Sequence, residues 1–249
     1  MSKIIAIGGG EIGRPGFPVE TMNIDEQIIK LSGKKNPRLL FIPTASHDAE
    51  SYVDAVREHF GGRLGCTVKT LMLYSNPLIM EIKNAIDAAD VIYVGGGNTL
   101  KMMTKWRKMG VDKLLLGAAE RGAVLSGLSA GAICWFKGGL SDSRSFTASG
   151  KNWDYITVKG LKLYNIILCP HFSSEPKRIE GLKHSLKGTK NIAVALDNSV
   201  ALEIDGEQYR IIGANSERSA YKTFWKNGKY YIEKLTSMDY QPLSSLTKI

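Results

Sequence analysis

Cysteine is sparse in these 249 residues: Cys66, Cys134 and Cys169 are the only three, far apart and odd in number. Such a set makes no disulfide framework and no Cys-x-x-Cys metal signature, and it suits a reducing compartment. Cys134 and Cys169 lie in apolar runs and read as small packing residues. Long apolar runs are also missing; none approaches the roughly 20 residues that a membrane-spanning helix needs. No basic-then-apolar leader is seen, because Met1-Ser2-Lys3 runs straight into a strand. A cytoplasmic protein without membrane contact is therefore expected. Clustered positive charge is absent as well. The formal charge is +9, but the lysines are scattered, with no dense basic run carrying interleaved aromatics. That pattern fits solvated faces and loops, and charge alone supports only a non-specific nucleic-acid term. Histidine is scarce, four in all, which narrows any search for a general base.

What is present is an alternation of short apolar strands and amphipathic helices, in a chain with 43% apolar and 23% charged residues. Lys3 to Ile7 reads as a strand ending in Gly8-Gly9-Gly10. Gly8-x-Gly10-x-x-Gly13 matches the dinucleotide fingerprint in form. That fingerprint needs a helix at once, and Arg14-Pro15-Gly16-Phe17-Pro18 follows instead, so no dinucleotide cofactor is expected. The glycines read as a loop close to the sheet edge. A helix runs from about Val19 or Glu20 to Ser32. Strands are expected at Arg38 to Pro43, Cys66 to Leu73, Asp90 to Val94 and Ala123 to Leu128, with helices at about Ala49 to Phe60, Leu78 to Ala89, Thr99 to Lys108 and Val111 to Arg121. This order implies a parallel, doubly wound α/β sheet. Later segments read as a long loop region from Lys137 to Lys159 with room for a short hairpin, a strand at Asn165 to Cys169, and a helix from Glu175 to Leu186. Short strands follow at Ile192 to Leu196, Val200 to Ile204, Gln208 to Ile212 and Lys229 to Lys234. Asp205-Gly206 and Asn227-Gly228 read as hairpin turns. One domain spanning residues 1–249 is expected, with antiparallel strands added in its C-terminal third.

In such sheets function sits beyond the carboxyl ends of the strands. Three segments fall there: Thr44 to Asp48, Gly95 to Thr99, and Gly127-Leu128-Ser129-Ala130-Gly131. The last is Gly-x-Ser-x-Gly between an apolar strand and a helix-compatible segment, Ala130 to Phe136, as a nucleophile elbow requires. Its glycines relieve a turn too tight for flanking side chains, and the N–H of Ala130 is left to bind an oxyanion. A serine nucleophile needs a base. His59 and His184 lie inside expected helices, as surface or packing residues. His47 and His171 follow strand ends, and His171, between Pro170 and Phe172, is the better base.

Gly95-Gly96-Gly97-Asn98-Thr99, Gly127-Leu128-Ser129-Ala130-Gly131-Ala132 and Pro170-His171-Phe172, in this order, resemble the peptidase E group of serine peptidases, family S51, with aspartyl dipeptidases and cyanophycinases as relatives. The resemblance runs from the first strand to Leu196-Asp197. It implies a three-layer α/β/α fold, mostly parallel and flavodoxin-like, related to class I glutamine amidotransferases. It implies Ser129 as nucleophile, His171 as base and then acid, and an oxyanion hole from Gly96, Gly97 and Ala130. Asn98 and Thr99 are implied to fix that loop at the substrate-binding site. The family's orienting glutamate is replaced: the matching segment is Leu196-Asp197-Asn198-Ser199, with Asn198 in its place. An asparagine can orient an imidazole but cannot stabilise imidazolium by charge. Asp142, in Ser141-Asp142-Ser143, is a second candidate to orient His171 or to bind the substrate amine. Aspartyl dipeptidases need a cation for the substrate side chain; the basic residues after His171 are Lys177 and Arg178, and Arg178 is taken as the substrate-binding candidate. The expected function is hydrolysis of short peptides, dipeptidase-like, with Asp-Xaa preference left open, by a monomer or homodimer without metal or cofactor. The alternative is a non-catalytic relative that binds a small peptide or anionic ligand.

Overall fold

A computed structural model describes residues 2–145, 155–213, 215–236 and 238–249. Part of the expected long loop, 146–154, lies outside the described residues.

The first half builds β1 (Lys3–Ile7), α1 (Met22–Ser32), β2 (Arg38–Ile42), α2 (Glu50–Val56), β3 (Thr67–Thr70), α3 (Ile79–Asp87), β4 (Val91–Val94), α4 (Thr99–Met109), α5 (Val111–Glu120) and β5 (Val124–Leu128). The second half adds α6 (Ala130–Ile133), β6 (Phe136–Ser141), β7 (Ile156–Lys159), β8 (Tyr164–Cys169), α7 (Pro176–Leu186), β9 (Ala193–Leu196), β10 (Ala201–Asp205), β11 (Gln208–Ile212), β12 (Ala220–Lys226), β13 (Lys229–Leu235), β14 (Gln241–Pro242) and α8 (Leu243–Thr247).

Two sheets result. The larger has the order β14-β11-β10-β1-β5-β4-β2-β3, parallel from β1 to β3 and antiparallel beyond β1. The second has the order β13-β12-β9-β8-β6-β7, with β6, β8 and β9 parallel. The expected antiparallel additions are therefore divided between two sheets. Alternate residues of each central strand face opposite sides. Ile5, Phe41, Tyr93 and Val124 pack under Ile24 and Ile28 of α1, Val53 of α2 and Phe60 of the helical turns that follow it. Ile4, Leu40, Ile92 and Leu125 pack on the other side with Met102, Trp106 and Leu115, and with Trp135, Leu168 and Val194 of the second half. A smaller cluster seats Leu182 and Leu186 of α7 against Ile167 and Ala195.

Two expectations change. The helix after the elbow stops at Ile133, and Phe136–Ser141 is a strand rather than helix end and loop, its antiparallel pairing with β7 matching the short hairpin for which that region left room. Apolar residues 132–136 suit either state, and pairing with both β7 and β8 decides it. Ala220–Lys226, not identified from the sequence, is the hairpin partner of β13 across Asn227-Gly228.

Candidate active site

The carboxyl ends of β1, β5, β8 and β9 meet at one point. β5 delivers Ser129, which caps α6 at φ 55° and ψ −108°. A non-glycine residue at positive φ costs about 1–3 kcal/mol and persists only where its surroundings over-determine it. Here they do. A Cβ on Gly131 would stand 2.0 Å from the Val94 carbonyl oxygen, and one on Gly127 would stand 2.5 Å from Gly131. The Ser129 N–H donates to the Ile7 carbonyl at 3.0 Å, pinning the turn to β1.

β8 delivers His171, also at positive φ (54°), and its N–H donates to the Gly8 carbonyl at 3.0 Å. Nε2 of His171 lies 2.9 Å from Ser129 Oγ, and Nδ1 lies 2.7 Å from Asn198 Oδ1. A carbonyl oxygen only accepts, so Nδ1 carries the ring proton and Nε2 is left as the acceptor for the serine O–H. Burial lowers the His171 pKa, and the hydrogen bond to Asn198 opposes that shift. At neutral pH the ring is therefore uncharged, with Nε2 as its acceptor.

The glycine run after β1 is part of this site. A Cβ on Gly9 would lie 2.2 Å from Asn198 Oδ1 and 2.4 Å from His171 Cε1. The Gly9 carbonyl accepts the Ser199 N–H at 2.8 Å, so one short loop holds both the histidine and the asparagine segment. The sequence signal was Gly8-Gly9-Gly10 at a strand end, read there only as a close-passing loop.

Asn198 is thus the residue on the histidine, and Asp142 is not. Asp142 stands 3.8 Å from the Arg178 guanidinium. Neighbouring Asp197 is a structural acceptor, taking the N–H groups of Ser173 and Ser219. Arg178 corrects the substrate-binding expectation. It is 2% exposed, bonds Glu175 through Nε and Nη2 at 2.8 Å each, and reaches the Leu140 carbonyl. Its guanidinium also lies over the Tyr155 ring. Asn98 and Thr99 are likewise buried. Asn98 caps α4, accepting the Lys101 N–H and donating to the Ser143 carbonyl, and Thr99 accepts from Ser141. They fix the loop and are not placed to touch a substrate.

The expected oxyanion loop lies beside Ser129: the side-chain position of Gly96 is 3.6 Å from Ser129 Cβ. Gly97 turns at φ 135° against the Ala45 carbonyl. The Ala130 N–H starts α6, where backbone donors have no partner within the helix. The Gly96 N–H donates to the Tyr52 hydroxyl at 3.3 Å. A cavity of about 340 Å³ opens there, lined by Gly96, Leu128, Tyr52, Gly10, Glu11 and Arg14 among others. Arg14 is bonded to Glu11, whose carboxyl pKa is lowered despite partial burial by the Arg14 guanidinium and by backbone N–H groups.

The other histidines serve elsewhere. His47 packs at a tilt against Tyr74, and His59 is wholly buried with Nε2 2.8 Å from Asp25, a packing role but not a surface one. Burial raises the Asp25 pKa against the lowering pull of His59 and Thr21. All three cysteines are buried. Among the described residues no grouping of His, Cys, Asp and Glu could hold a metal ion, and no helix is long and apolar enough to cross a membrane.

Residues 4–212 match the model of peptidase family S51. The uncharacterized peptidase YgaJ of Bacillus subtilis (strain 168) is 34% identical over 227 residues, covering 89% of this chain and 92% of that protein. Peptidase E of Salmonella gallinarum (strain 287/91 / NCTC 13346) is 33% identical over 105 residues, 41% of this chain and 42% of its own. A crystal structure of a peptidase from an acI-B1 Actinobacterium superposes with a TM-score of 0.72 at 19% identity, covering 97% of each chain, a likeness of fold.

Proposed function

The chain belongs to peptidase family S51, and we propose that it is a serine-type hydrolase of short peptides in which Ser129 is the nucleophile and His171 the base. One observation carries this reading: a half-buried serine at positive φ on a tight turn, bonded to a histidine whose far nitrogen is held by Asn198. Ser129 Oγ attacks the scissile carbonyl while Nε2 of His171 takes its proton. The oxyanion is held by Ala130 N–H on one side and from the Gly96–Gly97 side on the other. The departing amine then takes the proton from His171, and water repeats the sequence on the acyl-enzyme.

Asn198 fixes the ring and its tautomer but brings no charge. Stabilisation of the imidazolium falls to groups farther off. Glu175 and Asp142 favour the protonated ring, and the buried Arg178 opposes it. A dipeptide is the substrate proposed, and Asp-Xaa preference stays within the proposal only as one outcome of an assay, since Arg178 is committed elsewhere. The protein acts in the cytoplasm as a monomer or homodimer, with no metal or cofactor needed for these steps.

A dipeptide library tests this. Wild type releases free amino acids from some members, and Ser129→Ala loses that turnover while keeping its circular dichroism spectrum. Undiminished turnover by Ser129→Ala overturns the assignment. A folded wild type that binds but never cleaves any member supports the non-catalytic alternative, which the neutral Asn198 motivates.

A further inference from the structure

His171 follows β8 and Asn198 follows β9, and these neighbouring strands stop pairing at Cys169 with Ala195. Beyond that point a contact of 2.7 Å between the two side chains has to be held by loops. Ladder bonds give out just there. The Phe172 N–H still donates to the Leu196 carbonyl at 3.0 Å. The next donor, the Ser173 N–H, meets a side chain instead, Oδ1 of Asp197 at 2.9 Å.

The same carboxylate holds the other flank. β9 pairs with β12 as far as Leu196 with Ala220. One residue on, the Asp197 N–H donates to the Ser219 carbonyl at 3.1 Å, and the Ser219 N–H donates to Asp197 Oδ2 at 2.8 Å. Two N–H groups from two separate loops thus end on one side chain, which is 4% exposed. A carboxylate has an oxygen for each of them, whereas an asparagine has one oxygen and would turn its own N–H₂ toward the other donor. The backbone of Asp197 is engaged too. Its carbonyl accepts the Val200 N–H at 3.3 Å and stands 2.3 Å from where a Cβ on Gly8 would be, and the Gly8 carbonyl is the one that takes the His171 N–H. Every polar atom of Asp197 therefore serves the segments that bring His171 and Asn198 together.

We propose that Asp197 is the positioning residue for the base: by clamping Ser173 and Ser219, its carboxylate sets the register of the loops after β8 and β9, and with it the distance from Asn198 Oδ1 to His171 Nδ1. This rests on the reading of His171 as general base. Asn198 brings no charge, so it fixes the ring only by where its oxygen stands. A slip between the loops costs it more than it would cost a carboxylate, whose attraction for the ring acts over distance. With the oxygen in place, Nδ1 keeps the ring proton and Nε2 is free to take one from Ser129. With the oxygen displaced, the ring samples both tautomers, and the fraction protonated on Nε2 cannot act as base. No proton passes through Asp197 itself.

The experiment uses the full chain with isotope-labelled histidine, whose ring nitrogens report their tautomer in long-range nitrogen–proton NMR spectra; His171→Gln assigns the signal. Wild type is expected to show one His171 tautomer, protonated on Nδ1. Asp197→Asn keeps the size of the side chain and loses one acceptor. It is expected to show both tautomers, with faster exchange of the Nδ1 proton with water. On a dipeptide that wild type cleaves, it should lower kcat about 10-fold, short of the roughly 100-fold that a full displacement of the base costs, with KM near wild type. Because Asp197 acts through Asn198, adding Asp197→Asn to Asn198→Ala should lower kcat little further than Asn198→Ala alone. A merely structural residue would lower Tm and leave the tautomer as in wild type. That result, an unchanged kcat, or losses that multiply in the double variant overturns the proposal. Should Asp197→Asn fold poorly, the α-hydroxy analogue of serine at position 173 replaces one N–H by an ester oxygen and leaves Asp197 intact. Mixed tautomers again support the clamp, and a pure Nδ1 tautomer overturns it. A wild type that neither cleaves nor takes a fluorophosphonate overturns the hydrolase reading, while the tautomers of Asp197→Asn still decide whether Asp197 positions the ring.

Discussion

Ser129, His171 and Ser199 are non-glycine residues at positive φ, and all three border the same small space. Backbone strain collects where geometry is held against preference, which is the signature of a positioned site. Gly9 is the point of that space where a side chain would meet both His171 and Asn198. Gly9→Ala should press on both His171 and Asn198, lowering kcat about 100-fold through misplacement of the base. Steady-state assays beside a thermal melt check it; an unimpaired Gly9→Ala would show that the loop yields freely. Acid inactivation follows from His171. Its pKa lies below that of a free imidazole because burial disfavours the charged ring. Activity in kcat/KM therefore rises with pH on a limb below that value and is level at neutral pH. Asn198→Asp places a carboxylate on Nδ1 and should move that limb to higher pH, as pH profiles of the two proteins will show. Ser129 and His171 were legible in the sequence because strand ends, prolines and glycines are local marks. Gly9 was not, because its value lies in two side chains more than 160 residues away. Arg178 misled for the same reason, although Glu175 three residues earlier was an available sign that its charge was already paired.

At the scale of elements, α7 is held to the second sheet by the Arg178 cluster. Its guanidinium, 2% exposed, ties Glu175 to the end of β6 through the Leu140 carbonyl and approaches Asp142. Removing one member of a buried pair strands the other; since Glu175 is 31% exposed, water relieves part of that cost. Arg178→Met should destabilise by about 2 kcal/mol, a fall in Tm of about 4–8 °C for a chain of this size. Its KM for a cleaved dipeptide should stay near wild type, since the side chain does not reach the cavity. A large rise in KM without a fall in Tm would restore the substrate-binding role. The parallel strands and their helices were readable from alternation alone. β6 was not, since Gly138-Gly139 reads as loop. A Cβ at Gly138 or Gly139 would meet the Val158 or Leu168 carbonyl at 2.4 Å, a constraint set by neighbouring strands and invisible locally.

Across the whole molecule, one apolar cluster joins both sheets: Ile4, Leu40 and Trp106 from the first half share it with Trp135, Leu168 and Val194 from the second. The Trp106 and Trp135 rings lie 6.5 Å apart. A shared core predicts one cooperative unfolding transition, with tryptophan fluorescence and far-ultraviolet dichroism coincident in urea; two separated transitions would divide the chain into independent units. The sequence allowed one domain but not its division into two sheets, because strand order is a property of long-range pairing. The site needs both sheets, since β1 and β5 bring Ser129 and β8 and β9 bring His171 and Asn198. The most direct test of that assembly is intact-mass analysis after exposure to a fluorophosphonate. The expected result is one adduct, on Ser129, in the wild type, and none in Ser129→Ala or His171→Ala. A folded wild type that takes no adduct, or labelling that persists in Ser129→Ala, would contradict it.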